Sequence, residues 1–238
     1  MTPAPTASPV TYVVLAKAPV PGRVKTRLTS AYSEHEAAAL ASAALLDTLD
    51  AVRTAAALGT GGRPLVCALT GELDAAAAPD ALRTGLSGFR VVEQRGTGLG
   101  GRIAAAHLDA AGGTGATVQV GMDTPHADAH VLARAAERVA DPDGPDAVLG
   151  PAADGGWWLL ALRRAADARL VEPVPMSTAA TGRLTLAALE AGGLRVEEAE
   201  TLSDVDVPAD VVAVAARCPG SRFAALAGVL GTREPVVA

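Results

Sequence analysis

Aromatic residues are nearly missing from this chain of 238 residues: two Phe, two Tyr and two Trp make up 3% of it. Half of the residues are hydrophobic, so the interior has to be built mainly from Ala, Val and Leu, with helices rich in the strongest helix former. Cysteine is limited to Cys67 and Cys218, far apart and outside any Cys-x-x-Cys pair. No disulfide is expected, and the thiols fit a reduced, cytoplasmic setting. Positive charge is in deficit, with 20 Lys and Arg against 26 Asp and Glu. No general field then draws nucleic acid or an anionic membrane, and any phosphate site must be local. No uncharged apolar run reaches the ~20 residues of a membrane span. Residues 1–10, rich in Pro, Ala and Thr, lack the basic and apolar parts of a signal peptide and read as a disordered tail.

What is present alternates between two periods. Tyr12 to Ala16 is a short apolar run ended by the turn cluster Pro19 to Gly22, hence a buried first strand. Ser33 and Glu36 form a capping-box pair, and Leu40, Leu45, Leu46 and Leu49 carry a helix to about Ala57. Further strands are expected at Pro64 to Leu69, Phe89 to Glu93, Thr117 to Gly121, Ala147 to Gly150, Trp157 to Leu162 and Arg195 to Ala199. Between them lie a weak helix at Ala75 to Leu82, helices at Gly98 to Ala111 and Thr178 to Ala191, and one at Asp128 to Val139 capped by Asp128. Two more follow, from Pro208 to near Ala216 and from Ser221 to Leu230. This order predicts an α/β fold with a mostly parallel, doubly wound sheet, one domain over residues 11–232 and a short tail at 233–238. Such sheets bind ligands at the carboxyl ends of their strands, which directs attention to three loops.

The loop after the first strand carries Lys17, Arg23, Lys25 and Arg27 within eleven residues of an otherwise acidic chain. Pro19 and Pro21 stiffen it, Gly22 permits close backbone approach, and its cations suit phosphate oxygens. It is not a Walker loop, and a solvated basic loop is the plain alternative. Asp123 follows the Thr117 to Gly121 strand and suits a divalent cation shared with substrate phosphates, or else a turn before Pro125. His126 and His130, four apart, would add a zinc set to Asp123, although surface histidines on a helix are usually no more than that. The third loop places Asp154, Gly155 and Gly156 before Trp157 and Trp158, the only tryptophans. Neighbours on a strand face opposite ways, so one Trp is expected to wall a pocket, while Asp154 accepts a proton or serves as a turn residue. Asp206, before Pro208, is placed as an N-cap. Gly96, Gly98 and Gly101 satisfy Gly-x-Gly-x-x-Gly, but the dinucleotide fingerprint normally opens its unit, whereas here two β-α units precede it.

With these residues in place the chain resembles the radical-SAM/selenodomain-associated transferases, a family of arsenosugar-biosynthesis-type glycosyltransferases. The likeness runs through Ala16 to Leu28, Leu99 to Arg102, Gly121 to Pro125, Val148 to Gly156, Ser177-Thr178 and Asp204 to Pro208. It implies a three-layer α/β/α, GT-A-like nucleotide-diphospho-sugar transferase fold. Asp123 then takes the place of the acidic metal motif, and Asp206 becomes the second metal ligand. Met122 and Thr124 depart from the Ser and Cys that usually flank that aspartate, Trp157-Trp158 from a Tyr pair, and Met176 from a Trp.

The resulting expectation is a cytoplasmic, metal-dependent glycosyltransferase using Mg²⁺ or Mn²⁺, a nucleotide-diphosphate sugar donor and a small acceptor. Neither nucleic acid nor a membrane span is involved, and a homodimer is left open. Ala16, Lys17, Pro21, Gly22, Arg23, Lys25, Arg27, Gly98 and Gly100 would bind the nucleotide and phosphates. Arg23, Lys25 and Asp154 would act in catalysis. Asp154, Gly155, Gly156, Trp157, Trp158, Met176 and Ser177 would form the acceptor pocket. The same residues would serve nucleotidyl transfer of the 2-phospho-L-lactate guanylyltransferase kind, or a non-catalytic nucleotide-binding domain.

Overall fold

The computed structural model describes residues 10–59 and 63–233; apart from Val10 and Arg233, the two predicted tails lie outside it. Seven strands form one sheet: β1 (Thr11–Lys17), β2 (Leu65–Thr70), β3 (Arg90–Glu93), β4 (Thr117–Gly121), β5 (Ala147–Pro151), β6 (Trp157–Leu162) and β7 (Val196–Glu198). Their order is β3-β2-β1-β4-β6-β5-β7. The pairs β1/β2, β1/β4, β2/β3 and β5/β7 are parallel, while β6 runs antiparallel to both of its neighbours. The reversal follows from chain length. The connection from Pro151 to Trp157 is far too short for a crossover, so β5 and β6 can only form a hairpin.

The helices are α1 (Glu34–Leu58), α2 (Pro79–Gly85), α3 (Gly98–Ala111), α4 (Ala129–Ala140), α5 (Thr181–Ala191), α6 (Pro208–Ala215) and α7 (Arg222–Leu230). Strand alternation sorts them into layers. Tyr12, Val14 and Ala16 of β1 pack with α1, α2 and α4 in the largest core cluster. Val13 and Leu15 point the other way, towards Ala106 of α3. A separate cluster joins Leu28, Tyr32 and Leu40 to Val205, Val211 and Phe223, tying the start of the chain to α6 and α7.

Capping signals are local and are met. Ser33 and Glu36 form the reciprocal box at α1, Asp128 accepts from the His130 N–H at 2.7 Å, and Ser221 caps α7. Three expectations need correction, and one element was not anticipated. The weak helix at Ala75 to Leu82 is a 3-10 turn, Leu73–Ala75, followed by α2, whose start is set by Pro79 in the first helical turn. Ala165–Val171 forms a 3-10 helix in a stretch without strong hydrophobic periodicity. Helix α5 begins at Thr181 instead of Thr178, because Ser177 takes a left-handed φ of 59° and Thr181 Oγ1 accepts the Thr178 N–H. Lastly, Asp206 is not the cap of α6: Val207 is, and Asp210 Oδ2 accepts the N–H groups of both Asp206 and Val207. That leaves the Asp206 carboxylate available to another partner.

Candidate active site

The basic loop is shaped by what it buries. Val24 and Leu28 are core residues, whereas Arg23 and Arg27 are exposed, so anchors alternate with outward cations. Lys17 Nζ donates to the Arg23 carbonyl at 2.6 Å and closes the loop. Gly22 has φ 72°, a conformation that glycine adopts without strain, and it lies beside the flexible end of the Glu34 side chain. Lys25 is itself left-handed, φ 48°, a conformation uncommon outside glycine. That turn aims its side chain inward, and Lys25 Nζ reaches Asp123 Oδ2 at 2.8 Å.

Asp123 sits just past the carboxyl end of β4 and is fixed on both sides. The Lys17 N–H donates to Met122 Sδ at 3.2 Å, and the Val205 N–H donates to the Asp123 carbonyl at 3.1 Å. The second contact brings the 204–206 segment alongside, and the shared burial of Leu28 and Val205 sets Arg27 against Asp206, with which it forms an ion pair. Lys17, Arg23, Lys25, Arg27, Asp123 and Asp206 thus border one cleft of 280 Å³. Two carboxylates each hold one cation of the basic loop. Asp123 Oδ1 remains buried with no hydrogen-bond partner among the described residues.

A larger cleft of 420 Å³ adjoins it, with Lys17, Met122 and Asp123 common to both. Its far wall carries Asp154, Gly156, Trp157, Met176 and Ser177. Trp158 is buried at 3% exposure and donates from Nε1 to the Glu200 carbonyl at 3.0 Å, while Trp157 is half-buried; both border the cleft. Asp154 does two things at once, because Oδ1 accepts the Gly156 N–H at 2.7 Å in a tight turn while the carboxyl lines the cleft. Gly155, φ 89°, does not line the cleft; it packs against the backbone of Ala179 and supports the wall from behind.

The sequence reading passed over Asp204, which lines the larger cleft, whereas Asp206 lines the smaller. A signal was available: in the extended run Asp204-Val205-Asp206, a buried Val205 puts both acids on the other side. Burial, then the nearby charge of Asp154, push the Asp204 carboxyl up to about 6, with Lys25 pulling it down and Asp123 adding to the rise. A carboxyl raised in the folded state contributes most to stability below its unfolded value near 4, and that contribution is lost as pH rises through about 6. Asp204→Asn is therefore expected to stabilise the metal-free protein at pH 7.5, by roughly 1 kcal/mol after allowance for solvent screening. That corresponds to about 2–4 °C in Tm. The gain should vanish at pH 4, and scanning calorimetry at the two pH values measures it; an equal gain at both would refute it.

Among the described residues, no three His, Cys, Asp or Glu side chains gather closely enough to enclose a metal ion. The zinc alternative therefore has no support. His130 is exposed, and His126 is half-buried with neither ring nitrogen partnered, its pKa lowered by burial and by Arg217. An open site is different: Mg²⁺ is commonly held by one or two carboxylates with the rest supplied by substrate and water. The unpartnered Asp123 Oδ1 fits that requirement.

Gly98 and Gly100 border neither cleft. A Cβ at Gly100 would lie 2.9 and 2.7 Å from the carbonyl oxygens of Val171 and Glu172, and one at Gly96 would lie 2.6 Å from the Gly101 backbone. The glycine run permits close backbone packing at the start of α3. Cys67 and Cys218 are free thiols, and burial pushes the Cys67 thiol up to about 12, which makes it inert. No described helix is long and apolar enough to cross a membrane.

Residues 48–178, more than half of the chain and including Asp123 and Asp154, match the family described as "Uncharacterized protein conserved in bacteria (DUF2064)". The chain belongs to the DUF2064 family. The matched region of this DUF2064 protein excludes the basic loop and the Asp204 to Asp206 segment, which the fold brings to the same clefts. A comparison with curated proteins finds no match. Among solved structures, a protein from Desulfovibrio desulfuricans G20, provisionally named a nucleotide-diphospho-sugar transferase, is similar with a TM-score of 0.77 at 23% identity, over 94% of this chain and 96% of that one. CMP:2-keto-3-deoxy-manno-octonic acid synthetase, complexed with CTP, gives 0.55 at 11% identity over 93% and 100% of the two chains. A cytidylyltransferase from Leptospira borgpetersenii gives 0.55 at 10% over 97% and 100%. At these identities the likeness establishes the fold: an α/β architecture shared with nucleotide-diphospho-sugar transferases and cytidylyltransferases.

Proposed function

We propose that this DUF2064 protein transfers a sugar from a nucleotide-diphosphate donor to a small acceptor, as one unit spanning residues 11–232. The observation that carries the reading is the meeting of two acids, Asp123 and Asp206, with Lys25 and Arg27 in one cleft beside a second, partly aromatic cleft. The smaller cleft has the charge to take a diphosphate and the larger has room for donor sugar and acceptor. Asp123 and Asp206 would hold Mg²⁺ or Mn²⁺, with the unpartnered Asp123 Oδ1 turned to it. Such an ion would supply a Lewis acid at the phosphate oxygens.

The chain's own cations do the rest of the electrostatic work. Lys25 and Arg27 pair with Asp123 and Asp206, and a bound diphosphate would compete for both cations. Arg23 has no carboxylate partner among the described residues and is already free to reach it. Negative charge grows on the departing nucleoside diphosphate, so donors fixed in advance lower the barrier more than they tighten donor binding. Asp154, held by its turn at one oxygen, keeps the other towards the acceptor and would take its hydroxyl proton. Trp157 and Met176 would shield that end from water.

Product analysis tests the proposal. Sugar nucleotides with Mn²⁺ and a panel of small hydroxylated acceptors should release free nucleoside diphosphate, detected by chromatography. Pyrophosphate released from a nucleoside triphosphate, with sugar nucleotides inert, would replace this reading with nucleotidyl transfer.

A further inference from the structure

One lobe of the larger cleft, on the side away from Asp154, holds Thr70, Gln94, Leu99 and Arg102, none of which has a part in the chemistry above. Gln94 follows β3, and its side-chain amide is pinned. Nε2 donates to two backbone carbonyls at once, Ala16 at 2.7 Å and Ala68 at 2.9 Å. Only the NH₂ end can satisfy two carbonyl oxygens, so the orientation of the amide is decided by its surroundings. Both of its hydrogens are consumed, and Oε1 accepts nothing from the described residues. Gln94 therefore presents an acceptor and no donor to the cleft.

Two neighbours point the same way. Leu99 is 42% exposed on the wall, an apolar surface of the kind a flat ring covers. Arg102 is exposed at the rim and has no carboxylate partner among the described residues, so its guanidinium is available to a keto oxygen.

We propose that this lobe is the base-binding subsite and that Gln94 selects for bases whose edge ring nitrogen carries a hydrogen, namely uracil and guanine. The inference rests on the nucleotide-donor reading above and extends it to the identity of the base. In an oxo base the ring N–H can donate to Gln94 Oε1 while the adjacent C=O accepts from Arg102. Cytosine and adenine set a bare ring nitrogen against the same oxygen, and two acceptors repel. A site built to pair with an N–H discriminates strongly against an analogue lacking it, because its own polar atom is left buried and unpaired.

Isothermal titration calorimetry of the full chain with UDP, GDP, CDP and ADP, in Mg²⁺, tests this. UDP, GDP or both are expected to bind at least tenfold tighter than CDP and ADP. Methylation at the ring nitrogen, in N3-methyl-UDP or N1-methyl-GDP, should weaken the preferred ligand at least tenfold. Gln94→Met should lose the preference over CDP and ADP and bind parent and methylated ligands alike. Should that variant fail to fold, the methylated ligands on the wild-type protein decide alone. CDP or ADP binding as tightly as the oxo bases, or methylation without effect, would overturn the assignment of Gln94 while leaving nucleotide binding in place. No binding of any of the four would overturn the nucleotide-donor reading together with it.

Discussion

Asp123→Ala is expected to cut metal-dependent turnover by about 10²–10³-fold or more while the folded state persists. The carboxylate is 37% exposed and sits in a loop, so its removal leaves no cavity in the core. The side chain that suffers is Lys25, only 10% exposed and paired with Asp123 at 2.8 Å. Losing that partner leaves a poorly solvated cation, at a cost of about 1–3 kcal/mol, so a modest fall in Tm should accompany the loss of activity. Asp123→Asn separates the two effects, since it keeps the shape and a hydrogen-bond acceptor for Lys25 but removes the charge that would hold the cation. Both variants should lack the rate increase that Mg²⁺ or Mn²⁺ is expected to give the wild-type protein. Undiminished turnover in either would remove Asp123 from the mechanism.

Gly155→Ala should be among the most damaging single-methyl additions in the molecule, destabilising by about 3 kcal/mol. Two separate costs combine. A residue with a Cβ resists the native φ of 89°, and the added carbon would fall against the Ala179 carbonyl oxygen, with the Ala179 carbonyl carbon at 2.6 Å and Cα at 2.8 Å. Those are backbone atoms and cannot rotate aside. The segment from Ser177 to Thr181 has to shift, and with it the wall formed by Met176 and Ser177. Gly193→Ala supplies the control, because its φ is 84° with nothing within 4 Å of the added carbon. It should carry only the backbone cost, about 1 kcal/mol. Calorimetry should show Tm lowered by roughly 6–12 °C for the first and 2–4 °C for the second. Equal shifts would mean that the packing of Gly155 on Ala179 is worth little.

The features legible in the sequence share a short range. Ser33 with Glu36, Asp128 and Ser221 mark helix starts because the groups they satisfy lie within three residues. The spans of β4, β6 and α3 follow from local period alone. The basic loop and Asp123 could be found because both follow strands, where parallel sheets bind ligands. The same rule covers Gln94, directly after β3, but nothing in the sequence singles it out, because a lone glutamine carries no chemical signature until its amide is seen to hold two carbonyls. Asp206 was placed as the cap of α6, but Val207 holds that position and Asp210 accepts its N–H; the Asp206 carboxylate pairs instead with Arg27, 179 residues away, which no local spacing reveals.

By itself, then, the order of residues determined the alternation of strands and helices, the caps of α1, α4 and α7, and the presence of an isolated block of cations in an acidic chain. The folded chain alone decided that β6 inserts between β4 and β5, that Lys25 turns inward on Asp123, and that Asp204 and Asp206 face different clefts. The reason is range: hydrogen bonds within a turn are written in adjacent residues. Which carboxylate meets which cation depends instead on apolar side chains such as Leu28 and Val205 finding a common core from opposite ends of the chain.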